Sequence, residues 1–296
     1  MNLFNYASLS PLCGHHPWAV LPERVEPFRR LLQSTMRGEA LSISAVQQPG
    51  ATQLNGATAV IPVRGLIFHR ENLFTEYGMG TSVERLAKQF RQVMADPQVA
   101  KIVLSIDSPG GQADGIDEIA AEIHAARSRK SIVAHVDTLA ASAGYWIASA
   151  ASEIIATSSS KVGSIGVYMV HIDYSGLNAQ MGIKPEYIAA GQYKTEGNPD
   201  EPLTDEARAY FQSLVNSHYD TFVMAVAKGR GVRKSEVLAS YGQGRVLLAQ
   251  DALAAGMIDR IATIDQVLTN RSQSRSGQPG ARARDLDLLS LSALSV

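Results

Sequence analysis

Cysteine is almost missing from this sequence: Cys13 is the single one in 296 residues. One thiol cannot close an internal disulfide, so nothing points to an oxidising compartment. An excess of charge is missing too, with 27 Lys and Arg against 28 Asp and Glu and a formal net charge of -1. Binding phosphates needs a basic surface, so nucleic acid is not an expected partner. The chain has no unbroken apolar run long enough for a transmembrane helix, and no membrane anchor is expected. Its first twenty residues lack the basic start and apolar middle of a signal peptide. The expected location is therefore the cytoplasm. Gly110, Gly111 and Gly115 do not make a dinucleotide fingerprint, and no Gly-Lys-Ser/Thr phosphate loop occurs. Cys13, His15 and His16 lie together, but such a trio needs a distant fourth ligand to complete a tetrahedral site. No metal and no cofactor is expected.

What is present is the material of an ordinary soluble globular protein: 45% hydrophobic and 19% charged residues, enough for a full core. Residues 1–56 read as an N-terminal arm, with an amphipathic helix over 22–36 and a polar loop over 47–56. From Thr58 short β-rich runs alternate with helices. Strands are predicted at 58–63, 101–106, 131–136, 153–157, 165–170 and 186–189. Helices are predicted after Thr81, where Thr81 and Glu84 suggest a capping box, around Ile116, Ile119 and Ile123, from about Ala141, and over 204–228. This alternation predicts an α/β fold with a largely parallel sheet covered by helices. The domain is expected to span 57–270. Residues 271–284 are rich in Ser, Gly and Arg and read as a flexible linker, and 285–296 as a short tail.

Four segments could carry chemistry. Asp107 to Gly111, DSPGG, follows a strand, and its glycines permit backbone N–H groups to point at one spot, as an oxyanion hole requires. As a bare motif it is equally a strand-to-helix turn. Ser142, in LAASAGYW, sits among small residues at a helix entry, where the helix dipole favours developing negative charge; the plain alternative is an N-cap. Lys194 lies in a polar loop. A lysine acts as a base only when burial or nearby positive charge favours its neutral form; otherwise it is a solvated charge. Ser164, in KVGSIGV, is either a turn residue or a hydroxyl that holds an amine in place.

Together and in this order, SPGG at 108–111, SAGYW at 142–146, GSIGV at 163–167 and Lys194 resemble the S49 peptidases, the signal peptide peptidase family. The separations of Ser142 from Ser164 and from Lys194 look like those of single-domain members. The resemblance covers about 58–268. It implies a crotonase/Clp-like fold of repeated ββα units and a serine endopeptidase with a Ser/Lys dyad. Ser142 would attack the peptide carbonyl, Lys194 take its proton and Ser164 orient the lysine. Backbone N–H groups at Gly110, Gly111 and Ala143 would hold the oxyanion. It further implies a homo-oligomeric ring. The soluble arm, with HHPWAVLPE at 15–23, looks more like the head maturation proteases of phages and prophages than like anchored signal peptide peptidases. That implies capsid, scaffold or portal proteins as substrates, in the host cytoplasm or the procapsid. The small residues around Ser142 suggest small or apolar residues before the cut.

Four alternatives stand beside this reading. One is a cytoplasmic signal-peptide-peptidase-like protease that degrades peptides. A second is a Clp-type triad with His171 and Asp173, since histidine is intrinsically the better base near neutral pH. A third is an acyl-CoA enzyme using the same Gly-Gly oxyanion logic with a carboxylate base. The last is a non-catalytic capsid assembly protein.

Overall fold

The computed structural model describes residues 17–24 and 50–269. The expected arm helix beyond residue 24, the Cys13–His16 cluster, the linker and the tail lie outside the described residues. Ten strands among the described residues form one mixed sheet. Its centre is parallel: β3 (Thr58–Phe68), β5 (Lys101–Gln112), β6 (Ser131–Ala141) and β7 (Glu153–Ala156) pair side by side. β10 (Arg260–Ile261) extends the β7 edge in parallel, and β2 (Gln53–Asn55) closes the other edge against β3 in antiparallel. Near-continuous apolar runs such as Ile102, Val103 and Leu104 are what a sheet covered on both faces requires. The predicted α/β class with a largely parallel sheet and covering helices is borne out.

The helices cover this sheet by their apolar stripes. In α2 (Val83–Ala95), after the short α1 (Leu73–Glu76) and β4 (Gly80–Ser82), Val83, Leu86, Phe90 and Val93 are all buried, as their spacing predicts. Its cap differs from expectation. Ser82, not Thr81, holds the N-cap and accepts the Arg85 N–H at 3.2 Å, while the Thr81 hydroxyl accepts from the Arg64 N–H at 2.8 Å. Thr81 is drawn away because β4 runs parallel to the end of β3. Helix α3 (Ile116–Ala126) buries Ile116, Ile119 and Ile123. The short α4 (Ala143–Ser149) is buried at every position, with Trp146 stacked on Phe222 at 4.4 Å between ring centroids.

Two predicted strands are absent. Residues 165–170 pair only through one bridge at Tyr168, because β8 (Lys161–Gly163), just before them, takes the place beside β6. Residues 186–189 are exposed coil. They belong to a stretch, with α5 (Ser175–Met181) inside it, that leaves Leu177, Met181, Tyr187 and Ile188 on the surface. The long helix is present as α6 (Asp205–Arg230), with Thr204 capping it through the Ala207 N–H at 3.1 Å. Its second half is buried through Phe222, Val223 and Val226, whereas Tyr210 in its first half is exposed. The chain then folds through α7 (Lys234–Ser240), β9 (Val246–Leu248) and α8 (Ala249–Ala254), and beyond β10 ends its described part in α9 (Ile264–Thr269). Arg230 at the end of α6 is tied to Asp259 at 2.8 Å, and Asp259 also accepts the Ile154 N–H at 2.7 Å.

Candidate active site

The site forms where two parallel strands change character at their C-terminal ends. β5 does not stop at Ile106 as the sequence predicts. It continues through Ser108, Pro109, Gly110 and Gly111 to Gln112, with register shifts against both β3 and β6. The shift lets the glycines approach other backbone closely. A Cβ on Gly110, whose φ is +95°, would lie 2.2 Å from the Ala19 carbonyl oxygen and 2.9 Å from Ser142 Cβ. A Cβ on Gly111 would lie 1.8 Å from the Ile67 carbonyl oxygen. Glycine is required at both positions for space, and at Gly110 also for backbone angle.

Next to Gly110, β6 ends at Ala141 and the chain turns into α4 through Ser142. This residue has φ 54° and ψ −120°, a conformation that residues with a Cβ rarely adopt. Such strain costs about 1–3 kcal/mol and persists only where the surroundings enforce it. Here the Ser142 N–H donates to the Gly163 carbonyl at 2.7 Å, and its own carbonyl accepts the Trp146 N–H at 2.9 Å. The hydroxyl makes no cap bond to α4. Its nearest acceptor is the Gly166 carbonyl at 3.4 Å, a long and weak contact. The N-cap alternative for Ser142 is thus met in position but not in function. Ser142 is fully buried.

Ser164 is held close by. It follows Gly163, has φ 53°, is 5% exposed, and donates its N–H to the Arg245 carbonyl at 2.8 Å. The expectation of free N–H groups at DSPGG is modified. The Gly110 N–H donates to Ser108 Oγ at 3.1 Å, and Ser108 Oγ donates in turn to the Gly65 carbonyl at 2.7 Å. Gly111 lies in register with Ala19 of β1 (Trp18–Val20). Ala143 opens α4, so its N–H has no acceptor within the helix. The fold therefore gathers Gly110, Gly111, Ser142, Ala143 and Ser164.

Lys194 is not gathered with them. It is exposed, in a turn where its own N–H donates to the Gly191 carbonyl at 3.1 Å. Its ammonium forms no hydrogen bond or ion pair among the described residues. His171 and Asp173 open the same exposed stretch. Asp173 accepts the Ser175 N–H at 2.8 Å, and hydrogen bonding first from the Ser175 side chain and then from this N–H holds its carboxyl below the usual range.

Sequence reasoning missed two contributors. Ser108 buttresses Gly110, and β1, in a segment read only as an arm, lies directly across the site. The signal for β1 was present: an apolar run, Trp18 to Leu21, bounded by Pro17 and Pro22. Among the described residues there is no group of three or more His, Cys, Asp or Glu placed to hold a metal. Nor is any helix among them long and apolar enough to cross a membrane.

The model of "Peptidase family S49" matches residues 124–276. The chain is 33% identical over 211 residues to the head-tail preconnector protein GP5 of Enterobacteria phage P21, covering 71% of this chain and 42% of that protein. It is 30% identical over 223 residues to the capsid assembly protease C of Escherichia phage lambda, covering 75% and 50% respectively. The chain thus spans about half the length of these relatives. Among solved structures, a ClpP1 mutant from Listeria monocytogenes aligns with a TM-score of 0.43 and 15% identity, over 71% of this chain and 94% of that one.

Proposed function

From the chain's membership of peptidase family S49, we propose that it is a serine endopeptidase in which Ser142 is the nucleophile and Lys194 the general base. The observation that carries this reading is the strained, buried corner at Ser142. A serine of φ 54° that caps nothing, pressed against Gly110, has no structural use that a less strained residue would not serve better. Ser142 Oγ attacks the substrate carbonyl, and the Ala143 and Gly110 or Gly111 N–H groups receive the oxyanion. For Gly110 this asks only that Ser108 Oγ give up its acceptor role when substrate arrives. Ser164, whose hydroxyl forms no hydrogen bond among the described residues, orients the lysine amine.

Lys194 reaches Ser142 within a homo-oligomer. Support comes from the exposed apolar side chains around it, including Tyr187, Ile188 at 96% exposure, and Tyr193, which a second copy of the chain would cover. The same contact strips water from the amine and favours the neutral form that a base needs. The substrates are proteins of a phage head, capsid, scaffold or portal, cleaved in the host cytoplasm or the procapsid. This rests on the two phage relatives. Small or apolar residues are preferred before the cut.

The test uses the assembled full-length chain with phage head proteins and casein as substrates. Wild type is expected to cleave, and Ser142→Ala and Lys194→Ala are expected to be inactive with unchanged assembly. Activity that survives Lys194→Ala and is lost in His171→Ala would replace the dyad by a histidine base.

A further inference from the structure

Strand β1 lies beside the candidate nucleophile. Trp18–Val20 run antiparallel to Gly110–Gln112. The Leu21 N–H donates to the Pro109 carbonyl at 2.8 Å, and the Ala113 N–H donates to the Pro17 carbonyl at 3.0 Å. On its other edge Trp18 exchanges two backbone hydrogen bonds with Tyr168, at 2.8 and 3.0 Å. An extended segment clasped along both edges is bound as a peptide is bound by strand addition. Pro22 follows, and having no N–H it ends the paired stretch.

The segment reaches the candidate nucleophile itself. The Ala19 carbonyl oxygen and Ser142 Cβ both crowd the point where a Gly110 Cβ would stand, at 2.2 and 2.9 Å. They are no further apart than those two distances combined. Leu21 packs on Leu139 and Ala141, with Val246 alongside, beside the same corner. Trp18 anchors the other end against Leu66, Phe68 and Phe74. Ser142 itself has no exposed surface. A strand serving only the sheet has no reason to lie over a serine whose hydroxyl must meet a substrate.

Resting on the peptidase reading, we infer that Pro17–Leu21 is an internal plug: a pseudosubstrate that fills the peptide cleft in its own chain and keeps Ser142 latent until it withdraws. Because the plug is tethered, it competes with substrate at a high effective concentration. Any substrate must displace it and take over its pairing with Gly110–Gln112 and Tyr168.

The test is a reversible lock in the full-length chain, built from Cys13→Ser, Trp18→Cys and Tyr168→Cys. Directly opposed antiparallel residues bring their Cβ atoms to about 4.5–5.5 Å, close to the roughly 3.5–4.5 Å that a disulfide spans. The readouts are the rate at which a fluorophosphonate probe labels Ser142 and the rate of peptide cleavage, oxidised and reduced. Oxidation is expected to slow both at least tenfold, and reduction to restore them. Equal rates in the two states would overturn the plug while leaving the peptidase reading intact. Ala19→Pro in the otherwise native chain removes a strand N–H opposite Gly111 and is expected to raise the labelling rate about tenfold, the factor lost with one or two ladder hydrogen bonds. If the cysteine pair prevents folding, this variant decides, and unchanged or slower labelling overturns the inference. If no form labels or cleaves, wild type and reduced lock included, the peptidase reading falls and the plug with it.

Discussion

At Ser142, glycine is expected to lose most or all of its usual stability deficit against alanine, and to exceed alanine if the strain there is large. With φ 54° and ψ −120° the residue lies outside the left-handed helical basin as well as the common regions, and any Cβ there carries about 1–3 kcal/mol of strain. Ser142→Ala keeps that strain; Ser142→Gly removes it. Two terms oppose the gain. Deleting a fully buried methyl costs about 0.8 kcal/mol, and the added freedom of the unfolded chain costs roughly 0.4–1 kcal/mol. The glycine variant should therefore fall between about 1 kcal/mol below and about 2 kcal/mol above the alanine variant, and above it wherever the strain exceeds the two opposing terms. Ala148, buried in the same helix, supplies the control. Ala148→Gly gains no strain relief and should cost about 2 kcal/mol, from helix propensity and the lost methyl together. Urea unfolding midpoints, with slopes checked for equality, measure all four proteins. If Ser142→Gly falls below Ser142→Ala by as much as Ala148→Gly falls below wild type, the corner is not strained. The structural argument for Ser142 would then be lost.

Gly229→Ala reverses another rule. In an open helix it would stabilise by about 1 kcal/mol, but here a Cβ would lie 2.1 Å from the Ser149 carbonyl oxygen, so α6 must back away from α4 and thermal unfolding should show a loss of about 1–3 kcal/mol. Phe222→Ala empties the space against Trp146 and should cost about 3–5 kcal/mol by urea unfolding, with Trp146 fluorescence altered in the folded state. Acid should weaken the protein in two stages. Burial holds the His135 imidazole below its ordinary range, so the unfolded chain binds the extra proton first and stability falls as pH drops through about 6.5. Burial pushes the Asp259 carboxyl up, but its hydrogen bond and charge pairing with Arg230 outweigh this and leave it lowered. Its contribution is present above about pH 4 and is lost below that, as the folded carboxyl is protonated. Asp259→Ala should remove this second stage and cost about 2–3 kcal/mol at neutral pH, less than a fully buried pair because the carboxylate is partly solvated. Melting curves of wild type and variant from pH 3 to 8 test both stages.

The parallel strands and the amphipathic helices were legible because their signals are local. Apolar runs such as 101–106 and the spacing of Val83, Leu86, Phe90 and Val93 need no knowledge of neighbours. The misreadings share a cause. Thr81 and Ser82 both suit a cap, and the choice fell to whichever hydroxyl β3 had not already engaged. Residues 165–170 are apolar enough for a strand, yet the place beside β6 was taken by β8. DSPGG looked like a turn because Pro and Gly punctuate turns, but β3 and β1 pair with its glycines and keep it in the sheet.

The sequence by itself determined the class of the fold and the residues that meet at the corner: Ser142 among small neighbours, the paired glycines before it and Ser164 after it. Those depend on chain chemistry over a few residues, where backbone freedom and side-chain size are read directly. Tertiary structure alone decided that Ser142 is strained and covered, that Ser108 holds the Gly110 N–H, and that Trp18–Val20 lie across the site while Lys194 stands apart in solvent. The cover over Ser142, the anchoring of Ser108 on the Gly65 carbonyl and the place of Trp18–Val20 are pairings between segments tens of residues apart. Such pairings are set by competition for sheet edges and buried surface, which no local pattern records.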